Sequence, residues 1–66
     1  MNAKVIISEL LALGLTQMEM ERRTGIDQST ISAIYTGRRG KRVSYDVMSR
    51  LANLLAESKA AAEEGS

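Results

Sequence analysis

The sequence predicts an all-α fold, a compact bundle of four short helices with a short fifth left open, on three observations. Proline is absent, the β-branched residues are scattered rather than alternating, and leucine, alanine, methionine and glutamate recur at helical spacing. At 66 residues the chain is one small domain. A domain of that size buries only about 60% of the surface its unfolded chain exposes, so the core is thin. There is no cysteine to staple it and no histidine or cysteine to ligate a metal, so stability must come from helix packing and no metal or cofactor is expected. A reducing, cytoplasmic location is consistent with this composition. In the opening run VIISELLALG, Glu9 interrupts the apolar stretch and no small-residue cleavage site with a basic leader accompanies it, so no signal peptide is expected. Nothing is long and apolar enough to span a membrane.

The first helix is expected over about residues 2–13, with Ile6, Leu10 and Leu13 lining one face, Val5 on its edge, and Gly14 suited to the left-handed turn beyond its end. Thr16-Gln17-Met18-Glu19 reads as a capping box, which starts the second helix at Gln17. That helix is short because Gly25 follows, and Asp27 then offers an N-cap for a third helix over 28–36, ended by Gly37. Ser44 is the next N-cap, with Asp46 in the first turn to meet the helix dipole. Val47, Leu51, Leu54 and Leu55 form the buried stripe of the fourth helix. Residues 1–57 therefore read as the folded domain, and 58–66, SKAAAEEGS, as a frayed helical extension passing into a disordered tail.

Residues 17–36 carry the pattern of a helix-turn-helix. Met20 stands on the first helix, Gly25 at the turn and Ile26 just after it, with Ile31 and Ile34 on the second helix. Glycine tolerates the left-handed backbone at the turn, and the four apolar side chains point inward to fix the crossing angle. The outward face of the third helix then presents Gln28, Ser29, Ser32 and Ala33, with Thr30 and Tyr35 nearer its edges. These side chains suit a major groove. Glutamine pairs bidentately with adenine, serine bonds several base edges, and alanine packs on a thymine methyl.

The residues Leu15-Thr16-Gln17, Glu19-Met20, Thr24-Gly25-Ile26, Gln28-Ser29-Thr30-Ile31-Ser32 and Gly37 followed by cations resemble the helix-turn-helix of lambdoid phage repressor and Cro proteins and the wider XRE-like group. The resemblance covers roughly residues 5–55. It implies a lambda-repressor-like bundle in which Gln17 meets the DNA backbone or an edge base. It further implies that Gln28, Ser29, Ser32 and Ala33 meet base edges and that the loop after the third helix lies along phosphates. Two departures stand out: Glu21 replaces the alanine usual in the family, and the polar end of the chain does not resemble the fifth helix that members often add.

Charge supports the same partner. Residues 22–42 hold six cations, Arg22, Arg23, Arg38, Arg39, Lys41 and Arg42, against Asp27, a local +5, while residues 1–21 and 43–66 each sum to −2 within a net charge of +1. Arg38, Arg39, Lys41 and Arg42, with Gln17 and Thr30, are the expected contacts to the DNA backbone, which supplies affinity more than sequence information. Tyr35 and Tyr45 are the only aromatics and are expected to pack, too few for a single-strand binder's stacking platforms. Met18, Met20 and Met48 read as core or rim filler. The carboxylates do not cluster and no phosphate-binding glycine loop is present, so no enzyme is expected.

The expected function is a sequence-specific transcriptional regulator of double-stranded DNA, a repressor of the phage Cro or repressor type. It would bind the major groove of pseudo-palindromic operator half-sites as a weak homodimer strengthened on DNA. No membrane or small-molecule partner is expected. The alternative from another class is an antitoxin or adaptor that uses this fold to bind a protein, which would place an apolar patch on the third helix. A third arrangement keeps the same DNA-binding role for the N-terminal part of a larger repressor.

Overall fold

The structure, a computed structural model, describes residues 2–37 and 43–64, with the side chain of Glu64 left aside. Four helices are formed among them: α1 Ala3–Ala12, α2 Gln17–Thr24, α3 Gln28–Thr36 and α4 Tyr45–Glu64. Their starts follow local chemistry. Asn2, expected inside the first helix, caps it instead, its Oδ1 accepting from the Val5 amide at 2.9 Å. Thr16 Oγ1 accepts from the Glu19 amide at 3.1 Å, one of the two bonds of the predicted capping box, while the Glu19 carboxylate lies beside Arg22 instead of returning to the Thr16 amide. Ser44 Oγ accepts from the Val47 amide at 3.2 Å, and Asp46 lies in the first turn of α4.

The core is built from one face of each helix. Ile6, Ile7 and Leu10 of α1, Met20 of α2, Ile26 of the turn, Ile31 and Ile34 of α3, and Leu51, Leu54 and Leu55 of α4 are buried together, with Ala3 at the edge. α1 packs on α3 and α4, and α2 packs on the same two helices, so α3 is seated against both of its predecessors. Val47 and Met48 are partly buried against this cluster.

Two expectations about packing are corrected. Val5 and Leu13 are not core residues: they are 43% and 39% exposed, while Ile7 is fully buried. A helix that is apolar nearly all round can rotate about its axis without changing its composition, and α1 turns Ile7 inward toward α3 and α4. Tyr45 does not pack, being 88% exposed at the first position of α4, and Met18 is likewise exposed on α2. Residues 58–64, read as a frayed helical extension, are helical and continue α4.

That continuation has a physical basis. Alanine and glutamate are strong helix formers. Ser58 is buried one turn beyond Leu54 and Leu55, and Lys59 Nζ lies 3.2 Å from Glu9 Oε1 of α1. At 1.5 Å per residue, the 20 residues of α4 span about 30 Å and account for most of the 36 Å long dimension of the molecule. Gly65 and Ser66 lie outside the described residues. Among those described, no helix is long and apolar enough to cross a membrane.

Candidate nucleic-acid interface

The link between α2 and α3 is Gly25-Ile26-Asp27, and five hydrogen bonds fix it. Gly25, at φ 77°, closes α2 by donating its amide to the Glu21 carbonyl at 2.8 Å. Only a residue tolerant of positive φ takes that position without strain. The Thr24 hydroxyl is buried, donates to the Met20 carbonyl at 2.6 Å and accepts from the Ile26 amide at 3.1 Å. The Thr24 carbonyl accepts from Arg50 Nη1 of α4 at 2.9 Å. Finally, Glu21 Oε2 accepts from the Gln28 amide at 2.8 Å across the turn. Ile26 seals the underside of this link in the core.

Asp27 stands at the N-cap position of α3, but its side chain makes no capping bond, contrary to expectation. Its carboxylate instead accepts from the Ser29 hydroxyl. The orphan amide at the head of α3 is taken by Glu21, placed to reach it by the short turn. An acceptor from the preceding helix replaces the local cap, and its negative charge sits at the positive end of the α3 dipole.

With Ile31 and Ile34 turned inward, helical geometry puts Ser29, Ser32 and Ala33 on the opposite face of α3. Gln28 and Ser29 are exposed at its N-terminal end, Ser32, Ala33 and Thr30 are half-buried, and Tyr35 borders the face. Gln17 is half-buried at the head of α2. Sequence reasoning missed Thr36, which lies on the outward face beside Ser29 and Ser32. Its hydroxyl is engaged by its own helix, donating to the Ser32 carbonyl at 2.9 Å. The hydroxyl proton of Ser29 is likewise engaged by Asp27, which leaves Ser29 oxygen lone pairs to face a partner. Arg22 is exposed and lies 3.5 Å from Glu19 within α2. Arg38, Arg39, Lys41 and Arg42, the expected phosphate contacts, lie outside the described residues.

Two short helices locked across a glycine turn, with the second offering a small, polar outer face, form a helix-turn-helix, and the family of helix-turn-helix domains matches residues 10–64 of the chain. The chain belongs to that family. Helix-turn-helix domains are DNA-binding, and in them the second helix lies in the major groove while the first crosses the backbone. A 33-residue segment is 58% identical to protein P2 of Acyrthosiphon pisum secondary endosymbiont phage 1, covering 50% of this chain and 35% of that protein. The segment thus spans about a third of the relative's length. No solved structure matches.

Proposed function

We propose that this helix-turn-helix domain is a sequence-specific transcriptional repressor of the phage Cro or repressor type, binding a pseudo-palindromic operator. The observation that carries the proposal is the outward face of α3, small and polar from Gln28 to Ala33 and fixed by the locked turn behind it. On this reading Gln28, Ser29, Ser32 and Ala33 meet base edges. Gln17 and Thr30 flank them at the DNA backbone, and Arg38, Arg39, Lys41 and Arg42 neutralise phosphates. The similarity to a phage protein supports a phage setting.

One α3 reads only a few base pairs, so specificity calls for two copies on half-sites about one helical turn, roughly 34 Å, apart. Among the described residues, the large apolar side chains left exposed, Val5, Leu13, Met18, Tyr35 and Tyr45, are spread over the four helices and the end of α1, which suits a weak homodimer strengthened on DNA. The edge of α4 around Tyr45 and Met48 is the interface this reading favours. Repression follows from covering promoter DNA.

Binding profiles at several salt concentrations test the assignment. Gln28→Ala should relax discrimination at one position per half-site by about 1–3 kcal/mol with the salt slope kept. Arg38→Ala should weaken binding to all duplexes alike and lower the slope by about 1. An unchanged base profile in Gln28→Ala removes that residue from the reading set.

A further inference from the structure

Arg50 belongs to none of the groups assigned above, yet it joins α4 to the turn that sets α3. Its Nη1 donates to the carbonyl of Thr24, the last residue of α2, at 2.9 Å, and its Nε lies 3.0 Å from Asp46 Oδ2, one turn earlier in α4. The same Nη1 would stand 3.2 Å from a Cβ at Gly25, so the guanidinium lies against the turn backbone in space that glycine leaves open. The next residue in α4, Leu51, is fully buried, so this anchor is rooted in the core. A carbonyl at a helix end has no partner within its own helix, and here the partner comes from a different element. The planar guanidinium holds both acceptors at fixed directions, which an ammonium does not reproduce.

We propose that Arg50 is a positioning residue for DNA readout, holding the α2–α3 turn on α4 so that α3 enters the groove at one angle. The proposal rests on the reading of α3 as the base-contacting helix. The side chains of Arg50 and Asp46 are 50% and 71% exposed, so their pair adds little to stability and its effect is orientation. Base contacts made by short side chains on a rigid helix need that angle. Phosphate contacts made by long, flexible arginines and lysines do not. Loss of the clamp therefore lowers specificity and leaves electrostatic affinity in place.

The test compares an operator obtained by selection with a scrambled duplex of equal length, over a range of salt, for the wild-type chain, Arg50→Ala, Arg50→Lys and Asp46→Asn. Arg50→Ala should bind the operator about tenfold more weakly, the order of one misaligned base contact. It should bind the scrambled duplex as wild type does, with the salt slope unchanged. Arg50→Lys should lose nearly as much, because restoring the charge does not restore the fork, and Asp46→Asn should fall between. The fold of each variant is checked by circular dichroism; if Arg50→Ala unfolds, Arg50→Lys and Asp46→Asn carry the test. Equal weakening on both duplexes with a slope lower by about 1 would make Arg50 a phosphate contact and overturn the proposal. Unchanged operator binding in Arg50→Lys and Asp46→Asn overturns it as well. A wild-type chain that prefers no duplex overturns the α3 reading itself, and the proposal with it.

Discussion

Replacing Glu21 by alanine removes the acceptor that Glu21 Oε2 supplies, at 2.8 Å, to the Gln28 amide at the head of α3. No local side chain substitutes for it, since Asp27 makes no capping bond and its carboxylate is engaged by Ser29. Losing a helix cap costs about 0.5–2 kcal/mol, and the carboxylate's favourable place at the positive end of the dipole is included in that range. Alanine is a better helix former than glutamate by a few tenths of a kcal/mol, which offsets part of the loss within α2. The expected net cost is about 1 kcal/mol. In a domain of this size that lowers the melting temperature by about 4–8 °C.

Glu21→Gln keeps an acceptor and loses the charge, so it should cost about 0.3–1 kcal/mol. Thermal unfolding followed by circular dichroism measures both variants, and hydrogen exchange at the Gln28 amide locates the effect, being faster in Glu21→Ala than in the wild-type chain. Removing a negative charge beside the proposed groove-facing end of α3 should also strengthen non-specific DNA binding while stability falls. A Glu21→Ala protein that melts at the wild-type temperature, with unchanged exchange at Gln28, would refute the capping role.

Three further substitutions probe the packing. Ser58 Oγ is buried with no hydrogen-bond partner among the described residues, so Ser58→Ala should stabilise the protein by about 1 kcal/mol and raise its melting temperature; a loss of stability would mean the hydroxyl is satisfied after all. Ile31→Ala should cost about 2–5 kcal/mol in urea denaturation, a large part of the roughly 3–10 kcal/mol available to such a domain, whereas Val5→Ala, at 43% exposure, should change stability by no more than about 0.5 kcal/mol, and comparable losses at the two sites would contradict the orientation of α1.

Features encoded within a few residues were legible in the sequence. Thr16 and Ser44 announce helix starts by chemistry that acts over three residues, and Gly25 and Gly37 mark ends where the backbone turns to positive φ. The bounds of α2 and the end of α3 follow from these signals, and the inward set Met20, Ile26, Ile31 and Ile34 follows from the spacing of apolar residues across the turn. The rotation of α1 was not legible, because Val5, Ile6, Ile7, Leu10, Leu11 and Leu13 offer apolar groups on several sides and the neighbouring helices choose among them.

Bonds between distant residues were equally silent. Glu21 to Gln28 crosses a turn, Arg50 to Thr24 spans 26 residues, and Lys59 to Glu9 joins the two ends of the chain. Each depends on tertiary placement that no local pattern records. The persistence of α4 past Glu57 has the same origin, since it draws on contact with α1 as well as on composition. For the candidate interface, the outward residues of α3 could be placed by periodicity alone. The engagement of the Ser29 and Thr36 hydroxyls could not.

The central claim is that α3 reads double-stranded DNA in two copies, and selection of bound sequences from random duplex DNA tests it most directly. The account predicts enrichment of a pseudo-palindrome whose half-sites lie about one helical turn apart, roughly 34 Å, with two chains bound at saturation. Recovery of no preferred sequence, or of a single half-site saturated by one chain, would contradict it.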